Sequence, residues 1–100
     1  MRAADVALPS RVDVTTSADV RYAIHIAIDA ATQGDVIIDA SKLETVDVAG
    51  LGVLVAAHRR ARQAGRRLVL CDAPPRIVRL FAVTRLHRVL TLDRSQAPTG

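Results

Sequence analysis

Two short apolar runs, Val36-Ile37-Ile38-Asp39-Ala40 and Leu68-Val69-Leu70-Cys71, bracket a long segment of helical period. Nothing else in the chain limits its fold as strongly. Aliphatic, β-branched runs this short read as strands rather than helices. Apolar character broken only by Asp39 is what a strand covered on both faces shows. Ser41 to Val46 reads as a loop. Val48 to Ala64 is then a helix, closed by Gly65, and its first half from Leu51 to Ala57 is apolar almost all round. Two strands joined by such a crossover lie parallel, with right-handed connection.

The flanks continue the alternation. Ala4 to Leu8 is a short strand ended by Pro9-Ser10. From Ser17 to about Thr32, Val20, Ala23, Ile24, Ala27, Ile28 and Ala31 form one helical stripe. Thr16 or Ser17 is placed to cap this helix, Asp19 lies in its first turn and Gly34 lies past its end. Arg21, His25 and Asp29 share the polar face, so His25 reads as a solvated residue. Asp72-Ala73-Pro74-Pro75 turns into a third helix with Pro75 in its first turn. Ile77, Leu80, Phe81 and Thr84 form its inner face. Arg88 to Leu92 reads as a last strand, and 93–100 as a flexible tail. The order predicts one α/β domain over residues 1–92, built on a mainly parallel sheet of four to five strands with about three helices.

Composition supports a core of Val, Leu, Ile and Ala, because half of the 100 residues are hydrophobic but only one Phe and one Tyr are present. The single cysteine, Cys71, excludes an intrachain disulfide and reads as an inert core thiol in a reducing compartment. No run approaches the roughly 18 apolar residues of a membrane span. A soluble, cytoplasmic protein without membrane insertion is expected.

Charge is unevenly placed. Residues 1–50 carry four basic and eight acidic side chains, whereas residues 51–100 carry ten basic and two acidic ones. An arginine-rich half can mark a polyanion-binding face. A solvated surface that complements the helix dipole explains the Arg59–Arg62 cluster equally well, and no aromatic is interleaved for base stacking. Nucleic acid is therefore a disfavoured partner.

Catalytic constellations are missing. Ser10, Ser17, Ser41 and Ser95 lack the glycines of a nucleophile elbow, and His25, His58 and His87 lie on different elements. The lone cysteine offers no zinc spacing. Asp39 and Asp47 have no His, Lys or metal-ligand set to complete a site, and Asp39 is better placed to satisfy loop N–H groups. Gly50-Leu51-Gly52 is followed by Val53-Leu54, not by the Lys and Ser/Thr of a phosphate loop. No enzyme activity, metal or cofactor is expected. Asp47 instead caps a helix N-terminus, with Gly50 and Gly52 allowing close packing, so this loop reads as a rigid recognition tip before a buried anchor helix.

At this point the residues resemble a STAS domain, the fold of bacterial anti-sigma-factor antagonists. The resemblance covers roughly Ala4 to Leu92. In the family, a strand ending Asp-Leu-Ser is followed by Asp-Ser-Ser-Gly-Leu-Gly and a buried helix. Here Ile37-Ile38-Asp39-Ala40-Ser41 and Asp47-Val48-Ala49-Gly50-Leu51-Gly52 stand in those places. An Arg/Gly turn, a strand, a helix beginning near Pro and a Thr-Gly-Leu-like close follow, matched by Arg62 to Arg67 and Pro75 to Leu86. The family usually opens with one more strand and often ends with a fourth helix. Residues 1–3 and 93–100 leave no room for either, so a fold truncated at both ends, with an exposed sheet edge, is expected.

The resemblance implies a partner, the kinase-type domain of an anti-sigma factor. That kinase phosphorylates the second Ser of the motif and so breaks the complex. Ala49 occupies that position here and Val48 the first, so neither accepts phosphate. The implied reading is an antagonist-like binding module not switched by phosphorylation at this loop. Its partner-binding residues are Asp47, Val48, Ala49 and Gly50, with Leu51 and Leu54 holding the helix behind them. Ser41 and Thr45 are the nearest substitute phosphosites. A homodimer through the sheet edge or first helix is a further expectation. Arg85 stands where the family often has Gly, which strains it if the turn needs a positive φ. Two alternatives remain open: a regulatory STAS subunit of a membrane lipid or anion transporter, and polyanion or nucleotide binding by the Arg59–Arg67 surface.

Overall fold

The computed structural model of the protein describes residues 4–93. Its elements are β1 (Val6–Ala7), β2 (Arg11–Val12), α1 (Ser17–Asp29), β3 (Asp35–Asp39), β4 (Thr45–Val46), α2 (Val48–Gln63), β5 (Arg67–Cys71), α3 (Pro75–Val83), a 3-10 turn (Leu86–Arg88) and β6 (Thr91–Asp93). The α/β character, the parallel sheet and the three helices agree with the sequence reading.

Four strands form one sheet in the order β1-β3-β5-β6, every pair parallel. Its longest register runs from Asp35 opposite Arg67 to Asp39 opposite Cys71. The strand order advances in one direction, and right-handed crossovers then place all three helices on one face. Burial follows from this. Val36, Ile38, Leu68 and Leu70 face the helices and are fully buried in the core with Ile24, Leu54 and Phe81. Ile37, Val69 and Cys71 point the other way and lie outside that cluster. Asp35, Ile37 and Asp39 are only half-buried, so β3 is not covered on both faces as its composition suggested. Its alternating burial is that of a strand with one helix-covered side.

Several boundaries differ from the sequence reading. β4 lies inside the stretch read as loop and pairs in parallel with β2, Val12 opposite Val46. The first helix ends at Asp29 rather than Thr32. At that end lies Arg66, a buried arginine whose guanidinium donates to the carbonyls of Ala27 at 2.9 Å and Ile28 at 2.7 Å. It also reaches the carbonyls of Gly34 and Asp35, at 3.2 and 3.3 Å. The carbonyls that a further helical turn would use are thereby satisfied early. Thr84 is exposed, and its hydroxyl donates back to the Leu80 carbonyl at 2.8 Å instead of packing inward. The last strand, expected from Arg88 to Leu92, starts only at Thr91: Arg88 instead closes a 3-10 turn, and Asp93, expected in the tail, is the last residue of β6. Residues 94–100, the rest of that expected tail, lie outside the described residues. Arg85 does adopt a left-handed conformation, φ 64°.

Candidate protein-binding loop

β4 delivers the chain to Asp47, which holds an extended backbone conformation and starts α2. Its carboxylate accepts the Gly50 N–H at 2.8 Å and the Val14 N–H at 3.3 Å. Its own N–H donates to the Val12 carbonyl at 3.3 Å. One side chain thus caps α2 and ties it to the turn that precedes α1. That turn is fixed internally. The Asp13 carboxylate accepts the N–H groups of Thr15 at 2.9 Å and Thr16 at 3.2 Å, and the Thr15 hydroxyl. The Thr15 hydroxyl, followed by these backbone bonds and the Arg11 charge, holds the Asp13 carboxyl below its ordinary pKa despite its desolvation. Thr16 occupies the cap position of α1 without capping it, because its hydroxyl accepts from Asp13 N–H and donates to the Arg11 carbonyl.

The tip that results is stiff and partly apolar. Val48 is 85 % exposed and Val14 is 71 % exposed, flanking the exposed Asp47 carboxylate, while Ala49 is half-buried at the rim. Large aliphatic side chains held this far into water, around one charge, suit a contact with another protein. Gly50 is not part of that surface. It is buried, and a side chain there would run into the Val12 carbonyl oxygen and stand 3.0 Å from Val46 Cγ1. Its role is to let α2 sit against β2. Gly52, by contrast, faces open space, so the close packing read for both glycines belongs to Gly50 alone. Leu54 is fully buried and Leu51 packs against the core, as expected of anchors.

Val14 was missed by the sequence reading. The Asp13-Val14-Thr15-Thr16 spacing, an aspartate followed by two threonines before a helix, was the signal for its turn. The other candidates are dispersed. Ser41 is exposed after β3, where its N–H donates to the Asp39 carboxylate at 2.9 Å, so Asp39 does serve the loop. Ser41 bonding, through hydroxyl and then backbone, also keeps the Asp39 pKa low. Thr45 is exposed on β4, two residues before Asp47. The Arg59–Arg67 cluster lies at the other end of α2 and begins roughly 18 Å away along the helix. Among the described residues no group of His, Cys, Asp and Glu could hold a metal ion, and no helix is long and apolar enough to cross a membrane.

Residues 2–92 match the family model described as "Mlab, STAS domain". The anti-sigma-B factor antagonist of Listeria monocytogenes is 30 % identical over 89 residues, spanning 88 % of this chain and 76 % of the relative. An anti-sigma-factor antagonist (STAS) domain protein from Planctomyces limnophilus has a closely similar fold, with a TM-score of 0.77, 21 % identity, and coverage of 91 % of this chain and 82 % of that one. The fold also recurs in the murine Slc26a9 anion transporter, with a TM-score of 0.71 and 17 % identity over 88 % of this chain but 15 % of the transporter. With its parallel sheet, its capped α2 and these relatives, the chain belongs to the STAS domain family, in the anti-sigma-factor-antagonist type.

Proposed function

We propose that this STAS domain works by docking the α2 tip on a kinase-type anti-sigma factor in the cytoplasm, as a binding module without catalytic chemistry. The observation that carries this reading is the exposed Val14–Asp47–Val48 surface, made rigid by the Asp47 bonds to both adjoining segments. The named relative, an anti-sigma-B factor antagonist, supports the class of partner. Ala49 carries no hydroxyl, so binding is constitutive or is regulated at another position such as the exposed Ser41 or Thr45.

The test is binding of the purified chain to anti-sigma kinase domains from its source organism by titration calorimetry. Micromolar or tighter association is expected, and Val48→Glu should weaken it by about thirty-fold, as loss of a central apolar contact does. Ala49→Ser should create a site that the kinase phosphorylates, with release of the complex. No association with any such domain at micromolar concentration overturns the reading. In that case the transporter reading, which the recurrence of the fold in an anion transporter supports, is examined by pull-down with transporter subunits.

Self-association through the sheet edge has little backbone to use, because β1 has two residues. The outer face of α1, where Tyr22 is 70 % and Ile26 is 52 % exposed one turn apart, is the better homodimer surface. Sedimentation at high concentration decides this.

A further inference from the structure

The arginines at the far end of α2 are not equivalent once their partners are identified. Arg66 is committed to four backbone carbonyls. Arg67 is held by the Asp35 carboxylate at 2.9 Å, and Arg60 reaches Asp29 at 3.4 Å. Arg59, Arg62 and Arg88 have no side-chain hydrogen bond or ion pair among the described residues. These three converge on one open cavity of about 510 Å³, together with His58, Gln63 and Val89. No carboxylate lines it. A neighbouring cavity of about 390 Å³ shares His58 and Arg62, but there Asp35 and Arg67 balance each other.

His58 lies beside these uncompensated arginines. The Nδ1 atom of His58 is buried without a hydrogen-bond partner. Burial first, then the charges of Arg62 and Arg59, depress the His58 pKa. Complementing the helix dipole accounts for Arg60 and Arg62 in the last turn of α2. It does not account for Arg88, which the 3-10 turn brings from outside the helix. The dipole supplies about half a negative charge, against three whole positive ones.

We propose that this cavity binds an oligophosphate, a chain of two or more phosphates, free or as the tail of a nucleotide. Separate guanidinium forks with no acid between them match several anionic oxygens spread along a chain better than one compact anion. No Phe, Tyr or Trp lines the cavity, because Phe81 is fully buried and Tyr22 lies on α1, which leaves His58 and the guanidinium planes as the stacking surfaces. Recognition rests chiefly on phosphate, and single-stranded nucleic acid is not the favoured occupant. The site lies at the opposite end of α2 from the docking tip and is independent of it.

Calorimetric titration of the full chain with sodium tripolyphosphate, ATP, orthophosphate and an oligothymidylate tests this. Tripolyphosphate should bind at least tenfold more tightly than orthophosphate. ATP of equal affinity assigns the free chain as sufficient, and tighter ATP binding assigns a nucleotide as the source. Arg62→Gln and Arg88→Gln, both at exposed positions, should each lose about tenfold, as removal of one charge-assisted contact does. Arg76→Gln and Arg79→Gln, exposed on α3, should leave affinity unchanged. Absence of tripolyphosphate binding at millimolar concentration overturns the proposal. So does an equal loss in the α3 variants, which reduces the effect to net charge, or an oligothymidylate that binds tenfold more tightly than tripolyphosphate.

Discussion

Replacing Gly50 and Gly52 by alanine, one at a time, separates packing from helix propensity within a single helix. At Gly50 the new methyl would overlap the Val12 carbonyl oxygen and stand 2.8 Å from its carbon. Carbon atoms prefer separations of roughly 3.5–4.0 Å. Val12 cannot retreat freely, because its side chain is fully buried and its carbonyl accepts the Asp47 N–H. Overpacking of this kind costs about 1–3 kcal/mol, and loss of the Asp47 bond adds about 1 kcal/mol. Alanine returns about 1 kcal/mol through helix propensity. Gly50→Ala should therefore destabilise by about 1–3 kcal/mol. Gly52 meets nothing within 4 Å, so Gly52→Ala keeps the propensity gain alone and should stabilise by about 1 kcal/mol. Urea denaturation followed by circular dichroism reads both values as shifts in midpoint at constant slope. Midpoints that move together, in the same direction and by similar amounts, would refute the packing argument.

Arg66→Met should destabilise by about 2–3 kcal/mol, because carbonyls that had a charged donor are left unpaired, and thermal denaturation checks it. A loss below about 1 kcal/mol means that water replaces those bonds. Arg85→Gly should stabilise by about 1 kcal/mol, since φ 64° suits glycine, and an unchanged melting temperature would show the turn to be unstrained. Acidification should also weaken the fold. Burial lowers the pKa of both His25 and His58 below the ordinary 6.5, aided by Arg60 and Arg21 for His25, against Asp29, and by Arg62 and Arg59 for His58. The unfolded chain then takes up protons first, so stability is full above that value and falls as the pH drops through the folded pKa. The urea midpoint should decline as the pH falls below the ordinary histidine value of about 6.5, less steeply in His58→Gln; a flat profile would remove this account.

How much of the molecule the sequence discloses depends on element length. α1, α2, β3 and β5 each have enough residues for a period to show. β2 and β4 have two residues each, too few for any alternation, and their pairing is set by tertiary contact. Val89 and Leu90 look like strand residues, yet Leu90 is buried from an irregular segment and Val89 has helical dihedrals. At the candidate site, Asp47 and the exposed Val48 were legible because capping is a local event. Val14 was not, since its position depends on a hydrogen bond to a residue 33 positions away. The different fates of Gly50 and Gly52 depend likewise on which side of α2 meets β2, which one sequence does not state.

The bonds of Arg66 have a bearing on how the chain is made. Its acceptors lie 31 to 39 positions earlier, on the end of α1 and the approach to β3. While the polypeptide is still emerging from a ribosome, those carbonyls lack the guanidinium until residue 66 appears, although Ala27 also accepts the Ala30 N–H. The first half of the molecule is therefore left unfinished until the second arrives, and a fragment cut before β5 should have a frayed first helix.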